Sequence, residues 1–156
     1  MFRSSRSKAF TLVEVLIVVV IMAVLAATII PTFTDASGEA KISSGKTNVS
    51  TLRSLIALYK SQHSSGFPPN TGAIPFESSL TKKSKSDHTI DATGAYGPYV
   101  QDFPVDPFAN AKAVAVSTDN PIVVPANTTT GGYIYNSLTG EIRYNYNTTQ
   151  FPAASY

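Results

Sequence analysis

The chain contains no cysteine, so no disulfide staples it and it has no thiolate nucleophile; if exported, it must hold together by packing alone. Histidine is nearly as scarce, with only His63 and His88. The first falls at the fraying end of a helix and the second in a polar loop. Their spacing does not suit metal ligation, and a solvated ring is the expectation for each. Charge is sparse as well: Lys and Arg number 12, Asp and Glu 10. Arg3, Arg6 and Lys8 account for three of the basic residues, and 12 less 3 leaves 9 basic against 10 acidic, net −1. Phosphate binding needs a basic face, and none remains, so a nucleic-acid partner is excluded. There is no glycine-rich phosphate loop, and no serine stands in a nucleophile-elbow context that would make a triad of the Ser, His and Asp present. The run "KKSK" at 82–85 reads as a solvated loop. The sequence predicts no enzyme.

What is present begins with one apolar run. From Phe10 to Ile30 there are 21 residues, about 31 Å of helix against a hydrocarbon core of about 30 Å. Basic residues precede the run and an acidic, polar flank follows Pro31, which leaves the short N-terminus in the cytoplasm and sends the rest outward. One residue is out of place. Glu14 lies four residues into the run, where an acidic side chain costs roughly 2.5 to 3.5 kcal/mol on insertion scales. A cleaved secretory signal, with Val24 and Ala26 as its small residues, is one reading, and an uncleaved signal anchor is another. Neither gives Glu14 a partner.

The stretch "KAFTLVEVLIVVV" resembles the N-terminal signature of type IV pilins and of the pseudopilins of type II secretion: a short basic leader, a cut just before Phe, and Glu at the fifth mature position. The resemblance implies that a prepilin peptidase cuts between Ala9 and Phe10 and that the new amine of Phe10 is methylated. The residue before the cut is usually Gly in that family, and this chain has Ala9. The resemblance also implies an assembly role for Glu14, whose carboxylate meets the N-terminal amine of a neighbouring subunit. Such a pair offsets desolvation that a lone buried charge does not.

After Pro31, where a kink or local unwinding is expected, the pattern turns amphipathic. Ile42, Val49, Leu52, Ile56 and Tyr59 share a three-and-four spacing, widened by Leu55 and Leu58, while Lys41, Lys46, Arg53 and Lys60 point elsewhere. Gly66 and the two prolines of "SSGFPPN" end the helix. Residues 70–112 read as a long connection with a short helix around Phe76 to Lys83. Within it, "GPYVQDFPVDPF" resembles the segment that major pseudopilins carry between helix and sheet. Three short strands follow: "KAVAVS", "GGYIYN" and "GEIRYNY", the last two a hairpin whose Tyr133, Tyr135, Ile142 and Tyr144 face one way and Ile134 and Arg143 the other.

The expected fold is therefore α+β and pilin-like, a long N-terminal helix packed on a small antiparallel sheet. The expected layout is a leader over 1–9, a membrane and filament-core helix over 10–31, and a globular domain over 32–156. The implied function is a structural subunit of a homo-oligomeric helical filament. The missing cysteines and "GPYVQDFPVDPF" favour a major-pseudopilin-like component of type II secretion, with a type IV pilus pilin as the alternative and a secreted domain behind a conventional signal as a third. The implied partners are the inner membrane, prepilin peptidase and the secretion or pilus machinery, with a single pass and the C-terminal domain in the periplasm or outside the cell. Major pseudopilins carry calcium in their sheet-side loops. Asp106, Asn110, Asp119 and Asn120 offer oxygen ligands here, yet no acidic cluster maps the site, so no metal site is assigned. Asn48, Asn127 and Asn147 match the short glycosylation pattern.

Overall fold

The computed structural model describes residues 10–64 and 66–148, with the backbone alone for 29–36. The chain divides into two compact units, Met1–Ala40 and Lys41–Tyr156. One helix, α1 (Leu12–Gln62), runs through Pro31 and supplies residues to both units. A short α2 (Phe76–Thr81) and three strands, β1 (Val114–Val116), β2 (Tyr133–Tyr135) and β3 (Ile142–Tyr144), follow in the second unit.

Within that unit the amphipathic part of α1 buries Val49, Leu52, Ile56 and Tyr59. Their spacing of three, four and three residues keeps them on one face of a 3.6-residue helix. Leu55 packs against the same core, whereas Leu58, expected on that face, is 45% exposed. Against the helix stand Tyr133, Tyr135, Ile142 and Tyr144 of β2 and β3, together with Phe76, Leu80 and Phe103. The alternation read from the sequence is observed, since both β2 and β3 bury their outer residues and leave the middle one half-buried. Tyr133 lies directly opposite Tyr144 in the register, and their rings stack with centroids 4.9 Å apart. Burying a tyrosine also means satisfying its hydroxyl. Tyr133 Oη donates to Pro104 O at 3.1 Å and Tyr135 Oη to Pro68 O at 3.0 Å.

The sheet order is β1-β2-β3, but the sheet is mixed rather than antiparallel. β2 and β3 form the expected antiparallel hairpin, whereas β1 pairs β2 in parallel. The reason is the length of the connection: residues 117–132 form a crossover, which a parallel pair requires, while a tight turn would have reversed the chain.

The segment "DFPVDPF" wedges the helix and sheet together. Phe103 is buried edge-on against Tyr133, and Phe108 packs edge-on against Tyr144. Gly45 of α1 admits the Phe108 ring, for a Cβ there would stand 3.2 Å from it. A glycine that weakens the isolated helix is thus where the helix accepts its aromatic neighbour.

Candidate functional site

The structure begins with a partner for Glu14 inside its own chain. Thr11 precedes the first residue of α1, and Glu14 lies three positions on. Glu14 Oε2 accepts hydrogen bonds from Thr11 N at 2.8 Å and from Thr11 Oγ1 at 2.9 Å, and Glu14 N donates to Thr11 Oγ1 at 3.2 Å. This is a reciprocal capping box: two backbone N–H groups that a helix start leaves orphaned are both satisfied. A carboxylate in the first turn also sits at the positive end of the helix dipole. The pattern Thr-x-x-Glu stood in the sequence, but weighing Glu14 only against its apolar neighbours hid it. Both Thr11 bonds fall on Oε2, which leaves Oε1 for a further donor.

The side chains around this cap have no cover within the described chain. Phe10 is 84% exposed, and the large apolar residues from Leu12 to Leu25 are all about half exposed or more. Polar groups in the same stretch are satisfied locally, as where Thr28 Oγ1 donates to Val24 O at 2.8 Å. Ala9, the other half of the expected cut, lies outside the described residues. So does the side chain of Pro31, where the helix assignment continues without a break. The expected span, 10–31, is described with side chains over 10–28, and α1 continues through its remainder. Among the described residues no helix is long and apolar enough to cross a membrane.

The other residues singled out in the sequence are placed as follows. Asp106 is fully buried. Its Oδ1 accepts from Phe108 N at 2.9 Å, and its Oδ2 from Gly132 N at 2.9 Å and Ala109 N at 3.3 Å. The carboxylate thus clasps its own turn to the residue just before β2. Asn110 closes that turn, its N–H donating to Asp106 O, and Asp119 serves through its backbone, accepting from Asn136 Nδ2. Among the described residues no group of three or more His, Cys, Asp or Glu side chains gathers where it could hold a metal ion. Of the three glycosylation-pattern asparagines, Asn48 and Asn147 commit their amides to Val105 O and Val124 O, and Asn127 sits exposed at positive φ.

Two expectations need correction. The histidines are not a pair of solvated rings: His63 is 5% exposed, and the two rings stack 5.1 Å apart at the end of α1. The reason is the loop after α2, which folds back over the last turn of the helix and covers it. Nor is "KKSK" simply solvated, since Ser84 is buried and bridges Ile90 and Tyr96, while Lys85 pairs with Asp91 at 2.6 Å.

Comparison with known proteins agrees with the first stretch of the chain. Residues 4–30 match the family model described as the prokaryotic N-terminal methylation motif, the prepilin signature of type IV pilins and pseudopilins. No solved structure matches the chain.

Proposed function

We propose, from the prepilin signature that this chain carries at its start, that the protein is a structural subunit of a type IV filament, most similar to the major pseudopilin of a type II secretion system. The observation that carries the reading is a coincidence of place. The methylation motif over residues 4–30 overlies the start of α1, where the large apolar side chains from Phe10 to Leu25 are all about half exposed or more among the described residues. Lipid before assembly, and identical helices afterwards, supply the missing apolar surroundings, and head-to-tail contacts between identical subunits build an open helical fibre.

Prepilin peptidase would cut between Ala9 and Phe10 on the cytoplasmic face and methylate the amine of Phe10. The retained helix would hold a single pass in the inner membrane, with the C-terminal unit outside it. Glu14 then has two tasks. Through Oε2 it caps its own helix, and through Oε1 it receives the amine of a neighbouring subunit, which fixes the axial offset between the two. A subunit docked at another offset leaves that carboxylate buried without its cation, which costs several kcal/mol. The role is structural, with no catalytic step. A type II secretion subunit is favoured over a pilus pilin by the absence of cysteine and by the packing segment that ends in Asp106, Pro107 and Phe108.

Two substitutions separate the tasks of Glu14. Glu14→Gln keeps an amide oxygen for Thr11 but loses the charge, so helix content and leader removal should persist while sheared fibre falls by about tenfold or more, the loss of an ion pair worth over about 1.4 kcal/mol. Glu14→Ala should lose the fibre as well. Wild-type fibre yield from the Gln variant would show that capping alone explains the residue. Mass analysis of the exported N-terminus tests the family reading itself: methylated Phe10 supports it, and a start near Ala27 overturns it.

A further inference from the structure

Four residues in the last turn of α1 and just beyond it bind the loop that follows α2. Tyr59 Oη lies 2.7 Å from His88 Nδ1 and His63 Nε2 lies 3.0 Å from Ser84 Oγ. Gln62 Oε1 accepts from Tyr99 Oη at 2.7 Å, and Ser64 donates to Ser86 O through both its backbone N–H and its hydroxyl. The rings at the centre are layered. Tyr59 and His63 stack at 3.7 Å and 3° between planes, and His63 and His88 at 5.1 Å and 12°, with Tyr96 tilted against His63 and Tyr99 against Tyr59.

The hydrogen bonds assign the protons. His63 Nδ1 lies 2.9 Å from Tyr59 O. A carbonyl only accepts, so Nδ1 carries the hydrogen and Nε2 of the neutral ring receives the Ser84 hydroxyl proton. Burial, the first cause, pushes the Tyr59 hydroxyl up to about 12, so it stays protonated, and in the His88 tautomer that carries its hydrogen on Nε2 it donates to Nδ1. In this neutral arrangement each imidazole accepts from a hydroxyl. A proton added to His63 Nε2 or His88 Nδ1 makes that nitrogen a donor, so the facing hydroxyl gives up its own donation and accepts instead, and a positive charge is left in the stack. A second proton sets two cations face to face in one stack.

We propose that the His63–His88 pair is a proton-operated latch: with both rings neutral it holds segment 84–99 on the end of α1, and proton uptake in mild acid releases that segment while the sheet stays folded. The groups facing the pair act as follows. From α1 come Tyr59 and Gln62, and from the 94–100 stretch Tyr96 and Tyr99, all uncharged at neutral pH. From the loop come Asp87, which favours a charged His88, and Lys85, whose charge is engaged by Asp91. Burial, and after it the neighbouring His63, hold the His88 imidazole below the ordinary histidine range against that pull of Asp87. The sign follows. A histidine whose folded value is depressed contributes stability that is whole above its unfolded value, about 6.5, and is lost as pH falls from there through the folded value. The inference stands apart from the filament reading, since every residue in it belongs to the second unit.

The test is hydrogen exchange on the full chain in detergent micelles, corrected for intrinsic exchange rates, between about pH 7.5 and about pH 5. Ser84 N bonds Tyr96 O, Tyr96 N bonds Ser84 O and Tyr99 N bonds Leu80 O. These amides should lose about tenfold or more in protection in acid, while Tyr133 N and Asn145 N, which hold the sheet, keep theirs. His88 sits at φ 70, a region that asparagine tolerates, so His88→Asn should leave the backbone in place and abolish the response. Unchanged protection of the wild type across this range, or an equal loss in His88→Asn, overturns the latch. Imidazole NMR gives a second reading: His63→Phe keeps a ring in the stack and should raise the titration midpoint of His88. A wild-type midpoint at the ordinary histidine value, or one that His63→Phe leaves unmoved, also overturns it.

Discussion

One helix supplies leucines that are more than half exposed and a leucine that is fully buried, and the difference lies in what surrounds each in the sequence. In the first unit Leu12, Leu16 and Leu25 sit among apolar residues on every side of the helix, and all are over half exposed. In the second unit Leu52 has serine, threonine and arginine on its outer flanks and is fully buried against the sheet. A helix apolar all round cannot be covered by a chain that offers a single small sheet, whereas a helix with one apolar stripe can. The second arrangement directs binding energy inward, to the stability of the unit, and on the filament reading proposed above the first directs it outward, to other molecules. Changes in the second unit should therefore appear in melting, and changes in the first unit in assembly.

Tyr135→Ala should break the inward half of this contrast most severely. The ring is fully buried and stands 4.1 Å from Phe76 between centroids, and its hydroxyl satisfies Pro68 O. Truncating a buried aromatic costs about 3–5 kcal/mol, and the orphaned carbonyl adds to it. All eight tyrosines of the chain lie at or beyond position 59, so the near-UV circular dichroism of the tyrosines reports on the second unit alone. Loss of the cooperative tyrosine transition at room temperature is the expected result. A melting curve within about 1 kcal/mol of wild type would mean that β2 is not packed on α1 as described.

Asp106→Asn comes next. The change is nearly isosteric, but it presents an amide NH2 where an oxygen now accepts from the N–H groups around it, so at least one of the three backbone donors at Phe108, Ala109 and Gly132 loses its acceptor. Hydrogen bonds to a charged group are worth about 1.5–3 kcal/mol, and that range is the expected loss in the same tyrosine-detected melt. A near-neutral result would show that the clasp is open to solvent and that Asp106 is free for another ligand.

Much of this architecture was legible in the sequence, and the parts that were not share a cause. The hairpin and, Leu58 apart, the buried face of α1 follow from periodicity, which is local, and the short α2 stands close to where it was expected. The parallel pairing of β1 depended on where a crossover returned the chain. The Asp106 clasp and the His63–His88 stack depended on tertiary closure between residues 25 or 26 positions apart, and no local pattern reports such closure. Glu14 is a different case. Its Thr11 cap is a four-residue motif and was readable, but the cost of an acid in an apolar run drew the reading toward a distant partner before the near one.

Leu58→Ser should have the smallest effect, and it draws the contrast most finely because the site lies within the same inward-facing turn as Tyr59. Periodicity placed Leu58 on the edge of the apolar stripe. The structure leaves it 45% exposed, two residues beyond the fully covered Ile56 and one before the fully covered Tyr59. Successive residues of a helix stand about 100° apart, so a stripe that centres Leu52, Ile56 and Tyr59 leaves Leu58 about 100° or more away from each of them, off the buried face. The change replaces a good helix former with a weaker one, a loss of a few tenths of a kcal/mol, and gives up a half-covered side chain. The expected change in melting is about 0.5 kcal/mol or somewhat more, far below the 2–5 kcal/mol, roughly, that Leu52→Ala should cost. Equal losses at the two positions would mean that Leu58 is covered in the working protein by something its own chain does not supply, and the division between an outward and an inward half of α1 would then have to be redrawn at the level of faces.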